Sequence, residues 1–478
     1  MATAPWIRSV QFPRNRIGSP PGAVPKGRPK RTGHAAFLAL LSALLAACGG
    51  DSGSADGSNG PRITSFTADR TGYFVGDSAR LTVRFSGGAG RIEPVIGPVQ
   101  DGATIETPVL DVSQRFRLIV AGDGKQVERE IDLPVTYRDQ YRALAESFPA
   151  ARHTATLIPD GRVVVIGGSR GQTAISNAID RFDPATGRFT RIGSLATGRE
   201  EHTATRLSDG RILVVGGSAG LSAFVPAELV DERTGSVTPA AQTIAERRGH
   251  TATLLASGDV LVVGGYTNEG MPFGISDTAE IWDRETGKFR AVSSRLVYPR
   301  ATHTATELPD GRVLIAGGFA PATHYVLGEI FDPVTETFEP VPGVQRVRGL
   351  HHSVRISNGG VLVIGGEDAL ESHASVLQFE PQTGSWLTMP NLMRGRSVVR
   401  AVSTRDDRVL LFGGETLPDF RKLASAETYT TAAGSIDLAP LPAARAWHTT
   451  TRLNDGRVLI VGGEAQNGAL VGTALLYE

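Results

Sequence analysis

Six histidines recur at one position of a repeated pattern. Each lies 14 residues before a pair of glycines, as in the stretch His-Thr-Ala-Thr-Leu-Ile-Pro-Asp-Gly-Arg-Val-Val-Val-Ile-Gly-Gly from His153 to Gly168. The six are His153, His202, His250, His303, His351 and His448, and Val399 takes this position in the remaining copy. Histidine is a common metal ligand, but a metal ion needs its ligands at about 2.0–2.1 Å, and a ring drawn from separate repeats is too dispersed. We therefore expect one structural hydrogen bond repeated six times and no metal.

Arginines and acids recur in the same pattern. The arginines lie three residues before the histidine position: Arg199, Arg247, Arg300, Arg348, Arg396 and Arg445. The acids lie in the third apolar segment of a repeat: Asp180, Glu228, Glu280, Glu329 and Glu427. Pairing each acid with the arginine of the next repeat leaves only Arg396 without an acid, whereas pairing within a repeat fails in three repeats. We therefore predict partly buried ion pairs between adjacent repeats. The alternative is a ring of arginines at a funnel mouth that binds anionic groups.

The variable segments after the glycine pairs carry a third set of candidates. These are Tyr266, Phe273, Phe319, His324, Tyr325, Phe420 and Arg421. Aromatic side chains on loops held by a rigid scaffold are suited to contact a sugar or a peptide. The alternative is that they pack against one another.

The glycine pair recurs seven times. The pairs are Gly167/Gly168, Gly216/Gly217, Gly264/Gly265, Gly317/Gly318, Gly365/Gly366, Gly413/Gly414 and Gly462/Gly463, separated by 48 to 53 residues. A period in this range is typical of arrays of supersecondary units that bury their apolar faces against one another. We number the repeats one to seven in chain order.

Each repeat predicts four short strands. In repeat one they are 153–157, 162–166, 178–182 and a strand around Phe189, with tight turns at Asp160-Gly161 and at 183–187. The second strand is apolar at nearly every position, so both of its faces must be covered, as they are in the radially packed blades of a propeller. The glycine pairs are then expected where neighbouring blades leave no room for a β-carbon.

The two ends of the pattern predict that the ring closes. Repeat seven ends at its third strand, at Leu475-Leu476-Tyr477-Glu478, and lacks a fourth. The segment Tyr141-Arg142-Ala143-Leu144, 12 residues ahead of His153, occupies the position of a fourth strand. We predict that this segment completes the last blade of a seven-bladed propeller over residues 137–478.

The glycine pair after an apolar strand, the Asp-Pro-x-Thr-Gly turn and the aromatic residue on the fourth strand resemble the kelch repeat. The version Arg-x-x-His-Thr-Ala-Thr-x-Leu-x-Asp-Gly-Arg-Val-Leu is similar to that of bacterial kelch proteins and of the galactose and glyoxal oxidase propellers. The resemblance implies an all-β fold, a seven-bladed kelch β-propeller. The radical-copper oxidases of this fold need a cysteine bonded to a tyrosine beside the metal, and the single cysteine of this chain, Cys48, is far from the repeats. We expect that activity to be absent.

The segment before Cys48 is predicted to be a secretory leader. Residues 1–47 hold seven Lys or Arg and no acid, and the apolar run 35–47 is too short to span a membrane. The run ends in Leu45-Ala46-Ala47-Cys48, which resembles the bacterial lipobox and implies lipidation of Cys48; an ordinary signal peptide is the alternative. By the same resemblance, Gly49 implies an outer-membrane lipoprotein, anchored in the lipid bilayer through Cys48 and facing the periplasm or the cell surface. We expect 48–61 to be a flexible tether.

Composition excludes other classes. Removing the seven basic residues of the leader from a total of 49 leaves 42 against 49 acidic residues, and no basic stripe remains, so nucleic acid is not expected as a partner. A lone cysteine excludes a disulfide framework and a thiolate metal cluster.

Residues 62–136 predict a separate small β domain. Candidate strands are 62–68, 80–85, 90–96, 103–109, 115–120 and 126–135, spaced as in an Ig-like β-sandwich that precedes the propeller. We expect a spacer, with a ligand-binding module as the alternative.

These features together favour a non-catalytic binding protein of the cell envelope. We expect it to need no cofactor and to present the loop face of the propeller to a glycan or protein partner. A carbohydrate-active, mutarotase-like propeller enzyme and a purely structural assembly component are the alternatives, because the fold alone hosts unrelated functions.

Overall fold

The computed structural model describes residues 60–171, 174–220, 225–268, 274–320, 328–343 and 348–478. Within these ranges the chain is all β, and it has no helix that is long and apolar enough to cross a membrane. The predicted lipidation residue Cys48 and the candidates Phe273, His324 and Tyr325 lie outside the described residues.

The N-terminal unit contains nine strands. They are β1 (Arg62–Ala68), β2 (Tyr73–Phe74), β3 (Arg80–Ser86), β4 (Ala89–Glu93), β5 (Gly97–Val99), β6 (Thr104–Glu106), β7 (Gln114–Gly122), β8 (Lys125–Leu133) and β9 (Val135–Thr136). One antiparallel sheet has the order β1-β3-β6, a second has the order β5-β4-β7-β8, and β2 pairs with β9 in parallel. Alternate residues of β3, such as Leu81 and Val83, point into a core shared with Phe116 and Leu118 of β7. Two sheets therefore enclose one apolar core, and assignment to the Ig-like type stays a prediction.

After β10 (Tyr141–Ser147), the repeats form the remaining strands. Repeat one forms β11 (Thr154–Leu157), β12 (Val163–Ile166), β13 (Ala178–Asp183) and β14 (Arg188–Ser194); repeat two β15 (Thr203–Arg206), β16 (Arg211–Val215), β17 (Glu228–Asp231) and β18 (Val237–Pro239). Repeat three forms β19 (Thr251–Leu254), β20 (Val260–Val263), β21 (Tyr266–Thr267), β22 (Gly274–Ile275), β23 (Ala279–Trp282) and β24 (Phe289–Ala291); repeat four β25 (Thr304–Glu307), β26 (Val313–Ala316), β27 (Gly328–Asp332) and β28 (Thr337–Pro340). Repeat five forms β29 (His352–Arg355), β30 (Val361–Ile364), β31 (Val376–Glu380) and β32 (Ser385–Met389); repeat six β33 (Arg400–Ser403), β34 (Val409–Phe412), β35 (Glu415–Thr416), β36 (Arg421–Lys422), β37 (Ala426–Thr430) and β38 (Gly434–Leu438); repeat seven β39 (Thr449–Arg452), β40 (Val458–Val461) and β41 (Thr473–Tyr477).

Each repeat builds one four-stranded antiparallel sheet, and two of them add a short hairpin, β21–β22 and β35–β36. The first strand of each repeat contacts the first strand of the next, and β39 contacts β11. The seven first strands therefore close into a ring around a central channel.

The last sheet is completed from the N-terminal side, as the sequence predicts. β10 pairs antiparallel with β41, with Tyr141 opposite Tyr477 and Arg142 opposite Leu476. The rings of Tyr141 and Tyr477 lie 5.2 Å apart, centroid to centroid, and the Tyr141 hydroxyl donates to the carbonyl of Ala439 in repeat six at 2.8 Å. β10 therefore contacts two sheets.

The apolar second strands form the core between sheets. All four residues of β12, β20, β26, β30, β34 and β40 are buried. In one cluster, Leu213 and Val215 of repeat two pack with Val260 and Val262 of repeat three and with Trp282. Since both faces of these strands meet neighbouring sheets, they do not show the alternation expected of a surface sheet.

The N-terminal unit contacts the propeller at the end opposite the repeat histidines. Asp111 accepts a hydrogen bond from Arg452 at 2.6 Å and one from Arg405 at 3.2 Å, and the Tyr137 hydroxyl donates to the carbonyl of Gly456 at 2.7 Å. Gly456 lies in the turn between β39 and β40. The unit therefore leaves the histidine end of the propeller uncovered.

The repeat histidines make the predicted hydrogen bond between adjacent repeats. His202, for example, lies 3.0 Å from the Thr154 hydroxyl of repeat one through its Nε2 atom. The same contact joins His153 to Thr449, His250 to Thr203, His303 to Thr251 and His351 to Thr304 at 2.9–3.0 Å. His448 lacks it, because Arg400 occupies the threonine position of repeat six. Each ring is held by its own neighbour, and the histidines do not converge on one point.

The predicted pairing of arginines and acids is wrong in register. Arg199 pairs with Glu228, Arg247 with Glu280, Arg300 with Glu329 and Arg396 with Glu427, all within one repeat. The physical reason is a backbone carbonyl. In each case the arginine donates to the carbonyl of the first glycine of its own pair, as Arg247 does to Gly264 at 2.8 Å, and this bond turns the side chain into its own sheet.

Three repeats lack the arginine–acid pair described above, and their arginine or acid has other partners. Arg348 faces Leu377 instead of an acid and donates to the backbone and hydroxyl oxygens of Ser375 at 3.0 and 2.8 Å. Arg445 donates to the carbonyls of Gly462 and Thr473. In repeat one, Asp180 binds Arg170 at 2.9 Å and Arg191 at 2.8 Å. The alternative of an arginine ring at the mouth is also wrong for these side chains, because all six are buried.

We predict that Arg247→Met lowers the free energy of unfolding by about 3–5 kcal/mol, because it leaves the Glu280 carboxylate buried without its cation. Arg348→Met is the matched control. It should cost clearly less, since Arg348 forms no ion pair with a described carboxylate and only backbone and hydroxyl acceptors lose a partner. Denaturant unfolding of the two variants measures the difference, and equal costs would contradict the structural role given to the ion pair.

Candidate binding site at the mouth of the central channel

A ring of backbone surrounds the opening at the histidine end of the channel. The residue just before each repeat histidine position has a left-handed backbone, with φ between 51° and 61°: Arg152, Glu201, Gly249, Thr302, Leu350, Val398 and Trp447. We call these seven residues the mouth ring. In six of the seven junctions the amide of one member donates to the carbonyl of the preceding member, as Val398 does to Leu350 at 2.8 Å. Strand-like spacing between seven members gives a ring roughly 11 Å across its backbone.

The mouth ring is strained. Left-handed backbone is costly for residues other than glycine, and most of all for β-branched residues such as Thr302 and Val398. The inter-repeat hydrogen bonds hold these residues in place. Such strain is typical of functional sites, where the surrounding structure over-determines the backbone.

A second layer of side chains surrounds the mouth ring. It comes from the residue directly after each glycine pair, which bridges to the residue two before the repeat histidine position: Ser169, Ser218, Tyr266, Phe319, Glu367, Glu415 and Glu464. We call these residues the rim. Its chemistry is uneven, with serines in repeats one and two, aromatics in three and four, and carboxylates in five to seven. The fold repeats here, but the side chains do not.

Charges from several repeats meet at the mouth. Arg152 lies 2.5 Å from Glu464 of repeat seven and 3.8 Å from Glu201 of repeat two, and its guanidinium lies 4.8 Å from the ring centroid of Trp447. Arg248 lies 3.1 Å from Glu201, and its guanidinium is 5.5 Å from the ring centroid of Tyr266. These ion pairs join four repeats and fix the side chains that face the opening.

Two rim carboxylates are buried beneath this surface. Burial raises the pKa of Glu367 to about 7, and the charge of Glu415 raises it further, while the hydroxyl of Ser397 donates to Glu367 at 2.5 Å and opposes the shift. Glu415 forms an ion pair with Lys422 of the β35–β36 hairpin. Burial likewise raises the pKa of Glu200, which lies next to the mouth ring. Among the described residues, the mouth therefore holds more carboxylates than the three cations that pair with them, Arg152, Arg248 and Lys422.

Two of the predicted ligand residues lie at the mouth. Tyr266 and Phe319 are half-buried rim residues, and each rests on a glycine: the Tyr266 ring on Gly249, and the Phe319 ring on Gly349, where a β-carbon would lie 2.8 Å from the ring. Burial raises the pKa of Tyr266 to about 12, so it remains a neutral hydroxyl donor. Each ring therefore packs on a glycine, and both rings keep an exposed portion.

The other predicted ligand residues are placed differently. Phe420 and Arg421 lie on the β35–β36 hairpin, and Arg421 is exposed. Sequence reasoning missed the mouth residues Arg152, Glu201 and Glu464. Their positions within the repeat could have identified them, because each lies either directly after a glycine pair or directly before a repeat histidine.

A separate group of possible metal ligands lies in the loop of repeat five. Asp368, Glu371 and His373 place one ligand atom each within 4.8 Å of the others. The two carboxylates, however, lie against opposite ring nitrogens of His373, Asp368 at 3.4 Å from Nε2 and Glu371 at 3.9 Å from Nδ1. A histidine held between two acids explains this geometry better than three ligands directed at one ion.

Comparison with known proteins agrees with this architecture. The Kelch motif matches residues 150–196 and 348–393, in repeats one and five. No curated protein matches the chain. Among the solved structures that match is a fungal alcohol oxidase with catalytic diversity among the AA5 family, in complex with copper; it is 17% identical, with a TM-score of 0.59, over 71% of this chain and 76% of that one. At this identity the likeness shows the fold alone.

The chain is a kelch-repeat β-propeller. Such a propeller is a scaffold for binding or for galactose oxidase-like chemistry, and the residues at its mouth must decide between them. The radical-copper centre of the oxidases needs a cysteine bonded to a tyrosine. Tyr266, the tyrosine of the rim, lies beside Arg248 and Gly249, and the repeat histidines bind threonines. The described mouth residues of this kelch propeller do not fit a radical-copper centre.

The raised pKa of Glu367 predicts a pH-dependent stability. Its folded pKa of about 7 exceeds the ordinary glutamate pKa of 4.5, so the folded state binds more protons between these pH values and stability falls as pH rises through them. Glu367→Gln removes the buried charge and should raise the free energy of unfolding at pH 8 by about 1–3 kcal/mol, with little effect near pH 4.5. Thermal or denaturant unfolding at both pH values measures this.

The exposed carboxylate Glu285 provides a control, because Glu285→Gln removes one acid without relieving any burial. A Glu367→Gln effect that is the same at pH 4.5 and pH 8 would show that this carboxyl is ordinarily ionised in the folded protein.

Proposed function

We propose that this protein is a non-catalytic binding protein of the cell envelope, anchored through lipidated Cys48, and that the mouth of its kelch propeller binds a glycan. A protein partner on the same face is the alternative. The observation that carries the proposal is the combination at the mouth of half-buried aromatic rings with ion-paired carboxylates. Tyr266 and Phe319 supply the rings, and Glu201 and Glu464 supply the carboxylates.

This combination matches the chemistry of a sugar. Aromatic rings pack against the apolar faces of a pyranose, and carboxylates and guanidinium groups bond to its hydroxyls. The side chains of Glu201, Glu464 and Arg152 keep about a fifth of their surface exposed, at 21%, 17% and 21%. They are therefore accessible and already oriented by ion pairs, which lowers the entropy that a ligand must overcome.

One observation favours a carbohydrate-active enzyme as a second candidate. Glu367, with its raised pKa, lies beside Glu415, and two neighbouring carboxylates are a common acid–base arrangement. Both residues are nevertheless almost fully buried, at 4% and 5% exposure, and bonded to Ser397 and Lys422. A buried pair without access to a substrate fits a structural role, and binding therefore remains the proposal.

The test is an array of bacterial envelope oligosaccharides, including peptidoglycan fragments, probed with the purified full chain. We expect binding that weakens at least about tenfold in Tyr266→Ala, because an aromatic contact at the centre of a site contributes on the order of 1–2 kcal/mol. Phe74→Ala is the matched control, since Phe74 is an exposed aromatic on the N-terminal unit. Equal binding by both variants would locate the site elsewhere.

Turnover separates the enzyme from the binding protein. Products released from bound oligosaccharides, or accelerated sugar mutarotation, would favour the second candidate. Loss of either activity in Glu367→Gln would then assign the carboxylate pair.

The anchor has its own test. In the native host, Cys48→Ser should move the protein from the membrane fraction to the soluble fraction, because the acyl chains that hold it, at roughly 0.8 kcal/mol per buried methylene, can no longer attach. Incorporation of a labelled fatty acid into the wild-type chain alone is the direct readout. A variant that stays in the membrane fraction would contradict lipidation at this residue.

A further inference from the structure

A layer of mostly threonine residues lies directly inside the mouth. The residue after each repeat histidine position begins the first strand of its repeat: Thr154, Thr203, Thr251, Thr304, His352, Arg400 and Thr449. Five are threonines and all seven are half-buried. Arg400 is the one charged residue of this layer.

Arg400 has no counter-charge in the part of the chain that the structure describes. Its Nε donates to the carbonyl of His448 at 2.9 Å, and no described carboxylate lies within 4.0 Å of its guanidinium. The buried arginines of the repeats have more partners: Arg247 and Arg396 each pair with a glutamate, and Arg348, which also lacks an acid in its own repeat, donates to three oxygen acceptors. A guanidinium stays protonated, and a partly buried cation without an anion is costly.

Arg400 lies on one of the seven first strands that surround the channel. Its strand β33 lies between β29 and β39 in the ring of first strands. The charge of Arg400 lowers the pKa of His352 in repeat five, of His448 in repeat seven and of His153 in repeat one, although burial is the larger cause in each. One side chain therefore acts on three other repeats, as a group near the centre of the ring does.

The threonines of the same layer are donors. The Nδ1 atoms of His202 and His303 are buried without a partner, so the assignment that leaves no orphaned N–H places the ring proton on Nε2, which donates to the threonine hydroxyl oxygen. The hydroxyl protons of Thr154 and Thr251 then have no acceptor among the described residues. A guanidinium and hydroxyl donors thus face one space.

We propose that this layer binds a small inorganic anion, a halide or a phosphate-like oxyanion, beside Arg400 and just inside the mouth. Such an ion supplies the missing negative charge and accepts hydrogen bonds from the guanidinium and the hydroxyls. A ring roughly 11 Å across its backbone leaves room for one ion with a few waters. Three of the carboxylates at the entrance, Glu464, Glu201 and Glu415, are ion-paired with Arg152, Arg248 and Lys422, which reduces the repulsion that an entering anion meets.

The decisive variant is Arg400→Thr, which installs the residue found in five other repeats. The full chain is titrated with sodium bromide, and separately with inorganic phosphate, while sodium gluconate holds the ionic strength constant. We expect a saturable rise of about 2–4 °C in the Tm of the wild-type protein and no saturable rise in Arg400→Thr. Without added small anion, Arg400→Thr should be at least as stable as the wild type, because an unpaired charge is removed.

Arg355→Thr is the matched control. Arg355 is also on a first strand, but at its other end, exposed and donating to the carbonyl of Glu307. This variant should keep the wild-type response. An equal response in Arg400→Thr would overturn the proposal, since general salt effects do not depend on one side chain.

Crystals of the wild-type chain soaked in bromide give an answer that does not depend on the folding of a variant. An anomalous peak in contact with the Arg400 guanidinium supports the site, and bromide found only elsewhere on the molecule overturns it. Neither readout involves a glycan, so this result and that of the oligosaccharide array are independent.

Discussion

The contact on which the rest of the structure depends is a backbone hydrogen bond between repeats. The amide of the second glycine of each pair donates to the carbonyl of the residue three before the next repeat histidine position, as Gly217 does to Arg247 at 3.0 Å. This bond is present at all seven junctions, including that between Gly463 and Ala150, at 2.7 Å, which closes the ring. Because the two backbones touch, a β-carbon on Gly216 would lie 2.3 Å from the Arg247 carbonyl oxygen. Glycine is required on one side, whereas the other side tolerates different side chains.

This difference between the two sides explains which features could be predicted from the sequence. The glycine period and the fully apolar second strands predicted the sheets, and the missing fourth strand of repeat seven predicted that the segment around Tyr141 completes the last sheet. These features are backbone constraints, and backbone constraints leave a regular trace in a sequence. The histidine–threonine contact between repeats was also within reach, because both residues recur at fixed positions.

Side-chain direction left no such trace. The spacing of Arg247 is the same whether it pairs with Glu228 of the preceding repeat or with Glu280 of its own, and counting unpaired residues favoured the wrong choice. Arg348 and Arg445 show why, because carbonyl and hydroxyl oxygens take the place of the acid in their repeats. The absence of an acid from a repeat therefore does not show that its arginine pairs with another repeat. The mouth ring was equally hidden, because its left-handed residues include Thr302, Val398 and Trp447 instead of glycines.

The closing pair of strands also has a consequence for how the protein is made. Since β10 leaves the ribosome some 330 residues before its partner β41, the sheets already synthesised form an open arc whose two ends expose unpaired strand edges. The ring of sheets can close only when the final strand, β41, is available. Long-range pairing of this kind folds slowly, and an unfinished arc can join to a second one. A nascent chain of this design thus depends on being kept apart from its copies until synthesis ends.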